Sequence, residues 1–476
     1  MLLVWLAAGM VLPVGVTVFL GVRGEWPVAV GQMCAMVVAG VLILVMGLLL
    51  KNFVGRGAEY EMGEWDSIWI AVTVWLVVPM SGVLPYLIAG GMGFVDALFE
   101  SFSGFTTTGS SVLAEPEALG PGLLVYRAMT QWIGGLGLLL FVVAFLRKLG
   151  VSAGGLYSAE FSGTQGRKLH PRLARSVSRM WRIYIAVTLV MVVLLLLQGV
   201  SVVDSIALAF STVSTGGFVT GSGGVSTLGA GALMTLTVFM FLSGINVAVL
   251  YRLFAFRWRE IRLDEELRTY IVLFLVSVAV CFVSFLVGGW GVQRSLGYSV
   301  FHIASTMSTC GYWLPSGGVM PLMVSALTFV LIVTGACAGS TGGGLKLRRV
   351  IVMWKYIGGY FTRMLHPGAV TRVKVDGVVV DDGYIHKVFA FVFLYIGLIV
   401  GGAFVLTLCG SGIPEAMCMA AANVSNLGPS PLLSSMGGSL DYSLLPAGGK
   451  VALVVLMLAG RLEIFALVAV FFGIEK

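Results

Sequence analysis

Four short polar segments of this 476-residue chain share serine, threonine or asparagine followed closely by glycine. They are Thr106-Thr107-Thr108-Gly109, Ser214-Thr215-Gly216-Gly217, Ser308-Thr309-Cys310-Gly311 and Ser425-Asn426-Leu427-Gly428. When four such strands meet around one axis, their backbone carbonyl oxygens can replace the hydration shell of a cation. Glycine suits this geometry because inward-pointing carbonyls on a narrow axis need backbone angles that a Cβ-bearing residue resists. The pattern therefore predicts a site for a dehydrated monovalent cation.

The four segments recur at long intervals, and each follows the same kind of landmark. Their closing glycines are 108, 94 and 117 residues apart, which leaves room for two membrane crossings and one re-entrant segment per repeat. Thirteen residues before these glycines stand Asp96, Asp204, Tyr298 and Glu415. Short apolar stretches follow at residues 97–102, 206–210, 300–304 and 416–422. Each stretch is too short to span a bilayer but can form a half-helix, whose partially negative C-terminal end favours a cation.

Any one of these clusters could also be an ordinary extracellular turn, because glycine and serine are common in turns. Four copies in register, each at the same distance from a half-helix start, favour a repeated pore element instead. Extended polar backbone at membrane depth survives where it lines a water-filled path. We therefore predict that the four segments line one pore.

The composition places these segments in a membrane protein. Hydrophobic residues make up 58% of the chain and charged residues only 11%, which excludes a soluble domain. Apolar runs long enough to cross a bilayer predict ten crossings, the first of which we interpret as a membrane helix rather than a signal peptide. They lie at about residues 1–20, 27–50, 66–90, 128–147, 183–203, 230–254, 269–289, 320–360 (interrupted), 386–408 and 450–473.

The basic residues predict the orientation of the chain. Three segments between apolar runs are rich in Lys and Arg, with eight at 147–182, five at 252–268 and eight at 346–387. Together with Lys51 and Arg56, they place 23 of the 29 basic residues on one side of the membrane. The positive-inside rule makes this side cytoplasmic, together with both termini. We interpret the net charge of +7 as a marker of topology rather than as a nucleic-acid-binding surface.

A glycine-rich loop, residues 339–344, interrupts the eighth apolar run. It reads Gly339-Ser340-Thr341-Gly342-Gly343-Gly344 and is followed by Leu345 and Lys346. Each glycine costs a helix about 1 kcal/mol relative to alanine, so a plain helical span is excluded. A phosphate-binding loop is disfavoured because Leu345 stands where its lysine should be. A helix bent to let its neighbours pack closely remains an alternative.

The last apolar run carries two charges, Arg461 and Glu463. A charge at the centre of a bilayer costs about 3 kcal/mol or more unless it reaches water or a partner, so Arg461 is expected to face the interior of the bundle. A tether between helices through glutamates elsewhere remains an alternative role for Arg461. Glu463 lies only two positions further on and therefore points to a different face of the helix.

Three further strings and the four polar segments carry a resemblance to a known family. The strings are Thr130-Gln131-Trp132-Ile133-Gly134-Gly135-Leu136-Gly137, the glycine-rich loop with Leu345 and Lys346, and Ala459-Gly460-Arg461-Leu462-Glu463. From about residue 65 to residue 476 the chain resembles the Trk/Ktr/HKT superfamily of potassium transporters, and within it the Trk-type membrane subunit. The two helices before residue 65 look like the extra N-terminal pair of that type.

This resemblance implies an all-α integral membrane protein with four tandem helix–pore-loop–helix repeats in pseudo-fourfold arrangement around one pore. The expected units are two N-terminal transmembrane helices (1–64) and pore repeats at 65–150, 151–260, 261–365 and 366–476. Glycine at the key position of all four loops implies selectivity for potassium, the transported ion, with no covalently bound cofactor. The fourth loop departs most from the family pattern, through Asn426 and Pro429.

The resemblance also implies how flux is controlled. The glycine-rich loop and Lys346 are expected to gate the pore, Arg461 to project into the conduction path, and Glu463 to be buried against another helix or a basic side chain. The family further implies a homodimer in the cell inner membrane and a cytosolic nucleotide-binding regulatory ring that docks on residues 147–182 and 346–387. Gln131 and Asn246 are expected only to form interhelical hydrogen bonds.

Two other functions compete with this interpretation. A sodium-coupled or proton-coupled secondary transporter also uses broken helices, but such folds often contain inverted repeats, whereas all four units here start from the same side. A membrane enzyme would need a nucleophile and base around Glu463, Asp96 or a cysteine, and no such spacing is present in the sequence. The sequence therefore favours a potassium-conducting pore and a protein that is not an enzyme.

Overall fold

The structure is a computed structural model that describes residues 2–22, 30–54, 64–148, 172–314, 320–368, 371–428 and 442–464. Nearly all of its regular structure is helical, as the sequence predicts. The described residues also contain a small antiparallel hairpin, β1 (Lys374–Val375) and β2 (Val378–Val379), in which Lys374 pairs with Val379. Pro429 and residues 149–171 of the first large basic segment lie outside the described residues.

The helices are described in chain order, grouped by the repeats that the sequence predicts. The N-terminal part contains α1 (Leu2–Gly9), α2 (Val11–Val22) and α3 (Val30–Val54). The first repeat contains α4 (Glu64–Ser81), α5 (Val83–Ile88), α6 (Phe94–Phe105) and α7 (Gly120–Lys148). The second contains α8 (Arg172–Leu197), α9 (Val202–Val213), α10 (Ala230–Ser243) and α11 (Val247–Phe254), followed by the short α12 (Trp258–Arg262). The third contains α13 (Glu265–Val287), α14 (Val292–Met307), α15 (Leu322–Thr334) and α16 (Leu347–Leu365). The fourth contains α17 (Asp382–Leu408), α18 (Ile413–Val424) and α19 (Ala447–Arg461).

Six helical spans in the described part of the chain are long and apolar enough to cross a membrane. They are Leu2–Gly21, Val30–Leu50, Ile68–Ile88, Arg179–Leu197, Glu265–Val287 and Asp382–Leu408. A seventh is the pair α10 and α11, which is bent by 111° at its break. Of the other expected crossings, residues 128–147 lie within α7, residues 320–360 are divided between α15 and α16, and the run at 450–473 continues beyond the described residues.

The four half-helices are α6, α9, α14 and α18, and three of them begin as the sequence predicts. Asp96, Asp204 and Glu415 lie in the first turns of α6, α9 and α18, where a carboxylate faces the positive end of the helix dipole. The expectation that Tyr298 marks the start of α14 is wrong, because this helix begins at Val292. Its first turn contains exposed Gln293 and Arg294, so the apolar stretch alone does not reveal the true start.

Close packing between the half-helix α6 and the long helix α7 depends on small residues. A Cβ added to Gly134 of α7 would collide with the backbone carbonyl of Phe105, the last residue of α6. Tyr126 of α7 donates a hydrogen bond to the carbonyl of Gly82 at 2.9 Å. Small residues let membrane helices approach until their backbones touch. Gly134 therefore sets the position of the end of α6.

We expect Gly134→Ala to lower the free energy of unfolding by about 1–3 kcal/mol, the usual cost of overpacking. The measurement is thermal unfolding of the purified protein in detergent. Gly397→Ala in α17 is the matched control, because a Cβ added there meets no atom within 4 Å. Equal melting temperatures for the two variants would contradict this account of the α6–α7 contact.

Candidate functional site

Each polar segment begins where a half-helix ends. We call the four segments of residues 106–109, 214–217, 308–311 and 425–428 the filter segments. All sixteen of their residues are buried. The first residue of each segment is the C-terminal cap of α6, α9, α14 or α18. The negative ends of four helix dipoles are thus directed at the segments, as a cation site requires.

The backbone of all four filter segments has the same conformation. In each, the second and fourth residues have positive φ, whereas φ of the first residue lies between −74° and −81°. The values are 56° and 82° at Thr107 and Gly109, 58° and 78° at Thr215 and Gly217, 60° and 80° at Thr309 and Gly311, and 51° and 78° at Asn426 and Gly428. Positive φ is unfavourable for residues with a Cβ. Four occurrences of one strained pattern make the segments structurally equivalent.

The filter segments lie side by side and touch through their glycines. A Cβ placed on these glycines would collide with a carbonyl oxygen of the neighbouring segment: Gly109 with Gly216, Gly217 with Cys310 and Gly428 with Thr108. These contacts arrange the segments in the order fourth, first, second and third. Glycine is required here for two separate reasons, a positive φ and the absence of space for a side chain.

Two buried amide side chains hold the filter segments in place, one from α7 and one from the fourth segment itself. Gln131 of α7 donates from Nε2 to the carbonyl of Gly216 at 2.8 Å, and its Oε1 accepts from the backbone N–H of Phe218 at 3.3 Å and from Ser211 Oγ. Asn426 donates from Nδ2 to Thr108 Oγ1 and to the carbonyl of Met457, both at 3.0 Å. The second and fourth segments are thereby bonded to their surroundings.

Gln131 has a larger part in the site than its sequence position suggests. Its expected interhelical hydrogen bonds are present, but two of its three partners belong to the second filter segment or the residue that follows it. The sequence signal that could have revealed this is a glutamine within an apolar helix that follows a predicted pore segment, where its amide is expected to be buried. Buried amides need several hydrogen-bond partners, and unpaired backbone is the richest source of them.

The glycine-rich loop packs against the first residues of two filter segments. A Cβ on Gly343 would collide with the carbonyl of Ser425, and one on Gly342 would lie 2.7 Å from the carbonyl of Ser308. The backbone N–H of Gly343 donates to Thr309 Oγ1 at 2.8 Å. The loop therefore lies at the half-helix end of the third and fourth segments.

Other residues of the loop are anchored to the second repeat and to α13. The N–H of Val247 donates to the carbonyl of Gly339 at 3.1 Å, and Thr341 Oγ1 donates to the carbonyl of Val213 at 3.2 Å. Next to the loop, the buried carboxylate of Glu266 accepts from the N–H of Ala338 at 2.6 Å. These bonds fix non-helical backbone that would otherwise be unsatisfied in the membrane. Two further hydrogen bonds stabilise the loop: Ser340 Oγ donates to the carbonyl of Cys337, and Lys346 Nζ, just after the loop, donates to the carbonyl of Gly342. The last loop residue, Gly344, has a positive φ of 80°.

Arg461 connects the glycine-rich loop to the first repeat. Its Nη1 donates to the carbonyl of Thr341 at 3.0 Å, and its Nη2 donates to the carbonyls of Gly134 at 2.7 Å and Gly135 at 2.6 Å. Arg461 and Lys346 line one cavity with Asn426 and the loop glycines. The guanidinium thus lies in the bundle interior, next to the fourth filter segment and the loop.

Glu463 forms an ion pair with Arg349 of α16. Its Oε2 lies 2.5 Å from Nη2 of Arg349, which is also stacked at 3.8 Å over the ring of Phe391. Both charged side chains border the same cavity as Arg461. The pair neutralises one of the positive charges there. Glu463 lies two residues beyond the end of α19, with φ of 54°, and joins this end to the helix that follows the loop.

Membrane-length helices that surround half-helices, with buried polar backbone at the half-helix ends, define a membrane ion-transport protein. Comparison with known proteins agrees, because the sequence model of the TrkH family, described as a cation transport protein, matches residues 36–475. The chain therefore belongs to the TrkH family.

The chain is similar to named proteins and to solved structures. The chain is 34% identical to the Trk system potassium uptake protein TrkH of Halomonas elongata and 30% identical to that of Escherichia coli K12, with 87% of each chain covered. It superimposes on the crystal structure of the potassium transporter TrkH from Vibrio parahaemolyticus with a TM-score of 0.83 at 28% identity. That match covers 98% of this chain and 96% of the other, so the similarity extends over the whole fold.

We expect Gln131→Leu to lower the free energy of unfolding by about 1–3 kcal/mol, because it leaves a buried backbone N–H without its acceptor. Thermal unfolding in detergent measures the effect. Gln198→Leu is the matched control, since Gln198 is exposed and bonds Thr235 Oγ1 just past the C-terminal end of α8. A Gln131→Leu variant as stable as the control would show that Gln131 does not support the second filter segment.

Proposed function

We propose that this chain takes up potassium through a pore lined by the four filter segments. The observation that carries the proposal is the fourfold repetition of one strained backbone, with the segments packed against each other through glycine. Such an arrangement offers several carbonyl oxygens at once to a cation that has lost its water. The TrkH relatives are named potassium uptake proteins, which supports potassium as the ion.

Selectivity for potassium is part of the proposal. All four filter segments carry glycine at the closing position, the pattern that accompanies potassium selectivity in the family that the chain resembles. The filter ligands are the residues of the four segments, with the backbone supplying most of the oxygens. Asn426 differs from the threonines at the three equivalent positions, since its Nδ2 donates to Thr108 and Met457 and holds the fourth segment. Its buried Oδ1 has no hydrogen-bond partner among the described residues.

The glycine-rich loop and Arg461 form the proposed gate. The loop lies against the carbonyls of Ser308 and Ser425, and Arg461 holds it through the carbonyl of Thr341. A positive charge beside the path of a cation raises the barrier to its passage. Glycines at 339, 342, 343 and 344 let the loop change shape, and Lys346 adds a second positive charge to the cavity.

A sodium-coupled or proton-coupled transporter is the second candidate. Broken helices such as α15 and α16 occur in both classes of protein. The four equivalent filter segments favour a pore, because alternating access does not need four copies of one element. We therefore propose channel-like movement of potassium, with no catalytic role for the chain.

The remaining parts of the proposal concern assembly. As a Trk-type membrane subunit, the chain would lie in the cell inner membrane with both termini cytoplasmic and would form a homodimer. A cytosolic nucleotide-binding regulatory ring would dock on the basic residues of 147–182 and 346–387. Positive charge on that face favours an acidic partner surface.

Replacing the first filter glycine tests the pore. We expect Gly109→Ser to reduce discrimination between potassium and sodium by at least about tenfold, a change of roughly 1.4 kcal/mol, because the added side chain displaces the carbonyl of Gly216. The measurement is rubidium uptake into reconstituted vesicles with sodium as competitor. Gly93→Ser is the control, because its added Cβ meets no atom within 4 Å. Unaltered discrimination in Gly109→Ser would contradict the filter assignment.

Replacing Arg461 tests the gate. We expect Arg461→Ala to raise rubidium flux on the order of tenfold, since it removes a charge from the path and frees the glycine-rich loop. Arg461→Lys keeps the charge but cannot reach three carbonyls at once, so it separates the electrostatic effect from the tether. Reduced or unchanged flux in a correctly inserted Arg461→Ala protein would contradict an inhibitory role.

A further inference from the structure

An ion pair between α6 and α7 is almost completely buried within the protein. Arg127 of α7 and Glu100 of α6 are 2% and 0% exposed, and Nε of the arginine lies 2.9 Å from Oε2 of the glutamate. Burial removes the hydration of both charges, so a buried pair often contributes little net stability compared with apolar residues of the same volume. Stability alone is therefore a weak explanation for this pair.

The carboxylate of Glu100 holds the chain that leaves the first filter segment. Its second oxygen, Oε1, accepts from the N–H of Val112 at 2.8 Å and from Ser111 Oγ at 2.5 Å. Ser111 and Val112 follow Gly109 by two and three residues. We call residues 111–112 the first exit segment. A charged acceptor with two donors on this segment fixes its position strongly.

The guanidinium of Arg127 holds the chain that leaves the second filter segment. Its Nη1 donates to the carbonyl of Val219 at 2.9 Å, and its Cζ lies 3.6 Å from the centre of the Phe218 ring. Phe218 and Val219 directly follow Gly217, and we call residues 218–219 the second exit segment. Arginine presents its donors in a rigid planar fork, so one side chain links Glu100 and Val219 at a set separation.

Of the four repeats in the sequence, the first carries a carboxylate at the position of Glu100 and the others do not. Nine residues before the four closing glycines stand Glu100, Leu208, His302 and Met419. In the third repeat, His302 Nε2 instead forms a hydrogen bond with Thr328 Oγ1 at 2.8 Å. Among the described residues, the filter backbone is thus fourfold, whereas the Glu100–Arg127 pair supports the chain after the first and second segments.

We propose that Glu100 and Arg127 are positioning residues for ion selectivity: as one rigid link between the two exit segments, they set the spacing of the first and second filter segments. This inference rests on the proposed function, because it concerns the same pore. The number and placement of carbonyl oxygens decide which ion a filter prefers. A change in the link therefore alters the preference between ions before it stops the passage of ions.

The test is the ratio of rubidium to sodium uptake in vesicles containing the full-length protein. Arg127→Lys keeps the positive charge but not the planar fork, and Glu100→Gln keeps the shape but not the charge. We expect both to lower the ratio at least about tenfold while rubidium uptake continues. Retention of the wild-type ratio in folded Arg127→Lys and Glu100→Gln proteins would overturn the inference.

A double variant covers the case in which a single change prevents folding. Glu100→Leu with Arg127→Met leaves no unpaired buried charge, and removing both partners of a buried pair is often tolerated. We expect this variant to insert, to elute as a single species on size exclusion and to conduct with a reduced ratio. An unaltered ratio in the double variant would also overturn the inference.

A second ion pair provides the control. Lys450 of α19 lies 2.6 Å from Asp96 in the first turn of α6, and its side chain is 10% exposed, so this pair joins α19 to the start of α6 rather than joining the two exit segments. We expect Lys450→Met with Asp96→Asn to keep the wild-type ratio; an equal loss there would mean general loosening and would refute the positioning role. If the wild-type protein shows no preference for rubidium over sodium, the proposed function itself is refuted. If the wild type is selective and the Arg127 variants keep its ratio, only this inference is refuted.

Discussion

The structure depends on the close approach of four extended backbone segments in the interior of a membrane protein. At three of the four closing glycines, a neighbouring carbonyl oxygen occupies the space that a Cβ would need. Extended backbone cannot pair its own N–H and C=O groups as a helix does. The surrounding elements must therefore supply hydrogen-bond donors, acceptors or dipoles to it. The half-helices, Gln131, Asn426 and the glycine-rich loop each supply part of that requirement.

The four repeats are alike in backbone and different in side chains. Equivalent φ values at Thr107, Thr215, Thr309 and Asn426 preserve the geometry that a cation would experience. The supports behind that geometry are a buried amide for the second segment, an asparagine bonded to Met457 for the fourth, and loop contacts for the third and fourth. Under the proposed function, such asymmetry would let one side of the pore carry a gating loop while α7 holds the other side.

Local patterns in the sequence predicted the half-helices and the polar segments that follow them, because helix caps, apolar length and glycine spacing are local properties. Asp96, Asp204 and Glu415 mark helix starts correctly, whereas an exposed polar turn hides the start of α14 at Val292. Contacts between distant residues were beyond such patterns. The pairing of Glu463 with Arg349 joins residues 114 positions apart, and nothing near either residue specifies the partner.

The most direct test of a common potassium site is to locate the ion. Crystals of the protein grown with rubidium or thallium, both close in size to potassium, can be measured at the absorption edge of the ion. The account predicts anomalous peaks on one axis between Gly109, Gly217, Gly311 and Gly428. Ordered ions bound elsewhere in the membrane region, with none between these glycines, would contradict it.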